Sequence, residues 1–409
     1  MSPRPGPGAA PTGTTGRGRW HRRVGMIPLG YLLSIVVVGA AHPFLPHWRW
    51  LLVHLLLLGA ATNAIVVWST HFATAVLRVP GATSRRGEAA RLVVLNAGVA
   101  GVLAGGVLGG DTGRIGAAGS GVVFAAVLAH LAVLVARLRR TLPAPFVVTV
   151  HHYLAATAAL LAGIPAGAWM MVGGGSARLS LFHAHVNVLG WVTLTVLGTL
   201  LTLWPTVLRT RMAEGAVRAA NIALPLAVAA LALLGVGVLA WWPVVAAAGL
   251  VVFAAAVVVS AVPAIASAWR RPPSSFAAWS IAAAIGWLLV ALTIDTVTLL
   301  TAANPDAAAG AFGKVLVPLL AGFVAQVLLG ALTYLLPMVL GGGPARVRAR
   351  NEVLERHWRQ RVVMGNAALV VFVLPVGAYV RITTSLLVLV VLVQFLIAAV
   401  QALLIKRRS

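Results

Sequence analysis

The chain has 409 residues, of which 60% are apolar and only 9% charged, and its mean hydropathy is +0.98. A soluble domain carries about 25% charged residues, so this composition excludes a water-soluble enzyme and marks a polytopic helical membrane protein. The net charge of +24 suits nucleic acid by magnitude, but the charges sit in short stretches between apolar runs, which excludes that partner.

Residues 1–23, rich in Pro, Gly and Thr, read as a disordered cytoplasmic tail. The first apolar run ends at Ala41-His42-Pro43 without a small-x-small cleavage site, so it reads as a first span and not as a cleavable signal. Hydropathy predicts twelve spans, at about 25–41, 51–77, 92–110, 115–136, 146–172, 180–208, 219–240, 243–268, 275–300, 313–340, 362–380 and 382–405. No loop between them is long enough to fold alone, so residues 24–409 read as one transmembrane domain. With both termini cytoplasmic, 26 of the 31 Lys and Arg fall inside, from Arg17, Arg19, Arg22 and Arg23 to Lys406, Arg407 and Arg408. Only Arg49, Arg114, Arg178, Lys314 and Arg381 fall outside, and this bias orients a multi-pass protein of the cell membrane. Trp48, Trp50, Trp241, Trp242, Trp269 and Trp279 read as interface anchors, and Gly101 to Gly110 as a surface for close helix contact.

An internal repeat runs through these spans. The second has His54-Leu-Leu-Leu-Leu-Gly59 and the sixth has His185-Val-Asn-Val-Leu-Gly190, at an offset of 131. The sixth continues to Gly198 and Pro205, and the tenth has Gly330 and Pro337 at an offset of 132. Three units of four helices, about 24–140, 141–271 and 272–409, therefore follow. The third has Val317 at the position of His54 and His185, which assigns any cofactor to the first two units. There is no cysteine, so thiolate copper sites, iron–sulfur clusters and thioether-linked haem are excluded. A metal or haem here is held by His, Met or oxygen.

Histidines within spans are costly and functional by default. His54, His183 and His185 lie in the outer part of the membrane, whereas His71, His130, His151 and His152 lie near the inner face. His54 and His71 are about 25 Å apart along one helix and cannot share a ligand. His183 and His185 leave their helix about 200° apart, so they serve different partners. The shared depth of the inner four, on three nearby spans, marks a second haem or copper site. The alternative for each residue is a neutral imidazole, bonded between packed helices or reaching headgroups. His42, His47 and His357 read as loop residues. Of seven acidic residues only Asp295 falls inside a span, where an outer-half hydrogen bond is its expected role.

The stretch from Phe182 to Pro205, FHAHVNVLGWVTLTVLGTLLTLWP, resembles the helix of C-type haem-copper oxidase catalytic subunits that carries two haem ligands. His54 with Thr62-Asn63-Ala64 loosely resembles the helix carrying the other low-spin ligand. In size and histidine usage the chain is also similar to the nitric-oxide-response (NnrS) family and to membrane domains of actinobacterial copper-oxidase proteins. The resemblance implies that His54 and His185 ligate a low-spin haem b, and that His183 faces a second haem or copper. It implies a haem-copper-oxidase-like fold as well. The chain departs from that family in carrying the motif on the sixth span, not the tenth, and in lacking the carboxylates and lysines of a proton-pumping channel.

These readings lead to a haem-b membrane redox protein, an electron carrier or an oxidoreductase handling nitric oxide or another small gas, without proton pumping. The alternatives are a copper or small-solute transporter, and a membrane partner of an extracellular copper protein. Its electron donor is not legible in the sequence.

Overall fold

The computed structural model describes residues 13–78, 85–140 and 144–405, with side chains from residue 24 onward. Every regular element among them is helical, and eleven helices are long and apolar enough to cross a bilayer. Apolar runs of this length take the helical form in lipid because only a helix satisfies its own backbone there. The chain is a multi-pass, all-α membrane protein.

In chain order the long helices are α1 (Gly13–Ala41), α2 (Trp48–Leu77), α3 (Arg85–Leu108), α4 (Gly113–Arg139), α5 (Val147–Met171) and α6 (Ala177–Leu208). Then follow α7 (Ala216–Ala240), α8 (Pro243–Arg270), α9 (Phe276–Thr301) and α10 (Pro305–Leu340). The short α11 (Pro344–Leu354) and α12 (Trp358–Val373) precede the last helix, α13 (Ala378–Leu404). Helix starts are capped by Ser176, Ser275 and Asn304, whose side chains accept from Leu179, Ala278 and Ala307 N–H.

Two expectations need correction. The first helix starts at Gly13, so only residues 1–12 of the expected tail lie outside the described residues, as do Lys406, Arg407 and Arg408 at the other end. The span expected at 362–380 is instead the 16-residue α12, about 24 Å long, against a hydrocarbon core of about 30 Å. It stops at Val373 because Leu374 precedes Pro375 and takes extended backbone, ψ 158°.

Three long helices share an unusual feature. Each contains a π-helical segment: Leu55–Ala61 in α2, Val186–Thr193 in α6 and Pro318–Ala325 in α10. Thr62 and Thr193 each donate to a carbonyl five residues back, which satisfies acceptors that the wider turn releases. Beside these segments stand two polar clasps. Tyr31 of α1 donates to Asn96 of α3, and Asn96 exchanges amide bonds with Asn63 of α2. Trp287 of α9 donates to Asn366 of α12, and Asn366 exchanges amide bonds with Gln326 of α10. Glycine seams bring other helices close. A Cβ on Gly105 of α3 would lie 2.4 Å from the backbone of Gly116 of α4, which agrees with the expected role of this glycine-rich stretch.

Candidate functional site

His54 closes the α-helical first part of α2, just before its π segment, and His183 lies near the start of α6. Their rings are brought together across the two helices, 6.5 Å between centres and 24° from parallel. Both are part-buried. His54 is held from behind by Trp50, stacked on it at 4.0 Å, while a Cβ on Gly106 would clash with the Trp50 ring. Trp50 is therefore packed into the protein and is not the plain interface anchor expected, unlike the exposed Trp242, Trp269 and Trp279.

The hydrogen bonds determine the tautomers. His54 Nδ1 lies 2.8 Å from the Trp50 carbonyl and His183 Nδ1 lies 2.9 Å from the Gly163 carbonyl of α5. A carbonyl only accepts, so each Nδ1 carries the hydrogen and each Nε2 presents a lone pair. This is the arrangement that readies an imidazole for a metal. The floor beneath His183 is glycine: a Cβ on Gly167 would lie 2.7 Å from its Cε1, and one on Gly163 would lie 2.2 Å from the neighbouring Asn187 Oδ1. The two rings thus lie 6.5 Å apart between centres, each with a neutral Nε2. Neutral imidazole is the donor chemistry that iron and copper accept.

His185 has a different partner. It points the other way from His183, as the helical spacing predicts, and meets Asp295 of α9 with Nε2···Oδ2 at 2.7 Å. Its Nδ1 lies 2.6 Å from the Leu181 carbonyl. Nδ1–H is committed to that carbonyl, so one proton lies on the Nε2···Oδ2 line between imidazole and carboxylate. Both side chains are buried, Phe312 leans on the ring at 5.1 Å, and Asp295 Oδ1 has no hydrogen-bond partner. Neither nitrogen of His185 is left to bind iron. The pairing of His54 with His185 implied by the resemblance is therefore not what the structure brings together; His183 takes that place. Asp295 does make a buried hydrogen bond, as expected of it, and its partner could have been sought as the titratable group at matching depth, because an intramembrane acid needs one.

The inner four histidines do not assemble into one centre. His130 is fully buried, with Nε2 3.1 Å from Ser69 Oγ and its ring edge-on to Trp191. His152 is buried on α5, with Nδ1 2.9 Å from the Val148 carbonyl and a lone pair on Nε2 that meets no hydrogen-bond partner. His71 and His151 instead lie on exposed faces of their helices. Shared depth misled because depth does not determine direction: adjacent His151 and His152 differ by about 100° around the helix, and Ser69 and His71 by about 200°. Among the described residues no three His, Asp or Glu side chains are placed to hold one metal ion. His42 lies in a single 3-10 turn, and His47 and His357 are left-handed residues just before helices, all in loops as expected.

At the far end of α2 from His54, the Arg137 guanidinium of α4 donates to the Thr70 carbonyl and to Thr74 Oγ1, and it lies 3.9 Å from Glu88. No family model and no curated protein matches the chain.

Proposed function

We propose that the protein is a haem-b-binding redox protein of the plasma membrane that transfers electrons or handles a small gas such as nitric oxide, with His54 and His183 as the residues that would hold the haem. The observation that carries this reading is the neighbouring pair of anchored imidazoles, with no third His, Asp or Glu among the described residues placed to share a metal with them. Zinc sites and most copper sites draw three or four ligands from the protein. An iron that brings its own four equatorial nitrogens needs only two. Held by these two residues, haem would supply one-electron chemistry. The residues of the chain orient the rings and exclude water: Trp50 O and Gly163 O hold the N–H groups, and Trp50 covers the His54 face.

The three-unit repeat belongs to this proposal. It is supported by the π segments, which start at residues 55, 186 and 318. Further support comes from the positive-φ residues ending α2, α6 and α10, at Arg78, Arg209 and Gly341. Gly59, Gly190 and Gly322, each without room for a Cβ, keep the same spacing of 131 and 132 residues. In this frame His54 and His185 are equivalent, and His183 is an addition to the second unit that reaches across to the first. The excess of Arg and Lys at one end of the spans supports a cytoplasmic location for both termini.

Absorption spectra of the purified protein, oxidised and reduced, test the reading. A haem b spectrum with split, low-spin bands on reduction is expected; a colourless protein that retains copper in dialysis would favour the second reading. That reading, a copper-handling membrane protein, rests on the same two nitrogens, since imidazole also suits copper.

A further inference from the structure

The Arg137 guanidinium, which donates to Thr70 and Thr74 of α2, has a neighbour of like charge. Arg91 of α3 is turned inward and donates from Nη2 to Thr70 Oγ1 at 3.4 Å, so two guanidiniums meet at one residue. They repel each other, and Glu88 is the carboxylate that attracts both, 3.9 Å from Arg137. The connecting segments 79–84 and 141–143 carry no acidic residue. Of the other acids, Asp111 stands beyond the far end of α3, Asp295 is bound to His185 and Glu355 to the start of α9. Glu214, Asp306 and Glu352 are exposed. One positive charge is therefore in excess where Arg137 is buried and Arg91 half-buried. The Nε–H of Arg91 is itself buried and has no hydrogen-bond partner. A buried charge is costly unless an opposite charge and a hydrogen bond compensate it.

We infer that these ends of α2, α3 and α4 hold a phosphate-type oxyanion, received by Arg91 and Arg137. The planar guanidinium matches such an anion with a fork of N–H groups, and Nε–H is one of its prongs. Arg137 is two residues from the end of α4, and Arg91 is six residues into α3, about 9 Å along its axis. This is the border between hydrocarbon and headgroups, where the phosphodiester of an acidic phospholipid lies. Inorganic phosphate offers the same oxygens from the water phase and is the other source. The exposed Arg78, Arg85, Arg86, Arg139 and Arg140 carry the charge bias of this membrane face and draw anions toward it. No histidine of the haem reading takes part.

The full chain in phosphatidylcholine nanodiscs tests this, with phosphatidylglycerol as one probe and inorganic phosphate as the other. Native mass spectrometry counts retained lipid, and thermal unfolding reads stabilisation. Phosphatidylglycerol should be retained and should raise the unfolding temperature. R91Q should weaken its retention about fivefold, the factor that one basic side chain supplies at a charged surface. E88Q removes the competing carboxylate and should tighten retention, an opposite change that a folding defect would not give. R139Q/R140Q, which removes two exposed charges, should leave retention nearly unchanged. Equal losses in R139Q/R140Q and R91Q would reduce the site to diffuse surface charge and overturn it, as would unchanged retention in both R91Q and E88Q. Stabilisation by inorganic phosphate in pure phosphatidylcholine, lost in R91Q, would keep the oxyanion site and make water its source. If neither probe stabilises the wild-type chain, the inference fails.

Discussion

A neutral imidazole has one N–H and one lone pair, and the direction of the N–H decides what the ring can still do. In this protein His54, His152, His183 and His185 all place Nδ1 against a backbone carbonyl, so Nε2 separates their roles. For His54 and His183, whose rings lie 6.5 Å apart, it keeps a lone pair; for His185 it meets Asp295. Alanine at 54 or at 183 should abolish the haem spectrum while the protein still inserts, whereas H185A should keep it, as absorption of the three purified variants will read out. Loss of the spectrum in H185A alone would reverse the ligand assignment. The His185–Asp295 pair is expected to matter for stability instead. Breaking a buried pair by removing one partner costs about 3–5 kcal/mol, because the other is left uncompensated. D295A should thus unfold at clearly lower temperature in detergent than wild type, and the double variant H185L/D295L should recover much of the loss. Equal melting of D295A and wild type would mean that the pair contributes nothing.

Helices built from Ala, Leu, Val and Gly would pack in many ways, and small side chains select among them. Gly163 and Gly167 lie one turn apart on α5, and they are the reason His183 and Asn187 can lie flat between α5 and α6. G167V would drive branched carbons into the space of the His183 ring. The expected result is loss of metal binding at this site with helix content unchanged, seen by titration with haemin and by circular dichroism. Retained wild-type affinity would show that the ring can shift without cost. The clasps of Tyr31–Asn63–Asn96 and Trp287–Gln326–Asn366 work at the same scale. Each ties three helices by amides that would otherwise be unsatisfied in lipid, and each stands next to a π segment with a glycine against an aromatic ring: Gly59 on Tyr31 and Gly322 on Trp287.

For the whole molecule the question is which end each helix reaches. Arg350 of α11 answers it for the last third, since its guanidinium donates to the Gly341 carbonyl at the end of α10 and to the Ala402 carbonyl near the end of α13. Cations are favoured at helix C-termini, so one side chain pins two helix ends to the same side. Glu355 does the converse, accepting from Phe276 N–H at the start of α9. The hairpin of α12 and α13 therefore leaves the side where α10 ends and returns to it, although α12 is shorter than the bilayer core is thick. A reporter fused after Ser409 should be active only in the cytoplasm, and one inserted between Val373 and Ala378 only outside. A cytoplasmic signal from the second would make α12 a re-entrant segment, and an external signal from the first would invert the proposed orientation.

Composition and run length sufficed to read the membrane class, the helices and ten of the expected spans with little adjustment, because burying backbone in lipid permits few alternatives. The opposite faces of His183 and His185 and the packing role of the Gly101–Gly110 stretch were legible too, since both follow from helical periodicity within one segment. The start of the first helix and the early end of α12 were not, because a local break before Pro375 overrides an apolar average. Periodicity states where a side chain leaves its own helix; it does not state which helix waits there. That is why His54 pairs with His183, why His185 meets Asp295, and why His71 and His151 turn away from the bundle that His130 and His152 enter. Neighbours are chosen by the order and closeness of helix packing, through glycine contacts and amide clasps distant in sequence, and only the tertiary structure decides them.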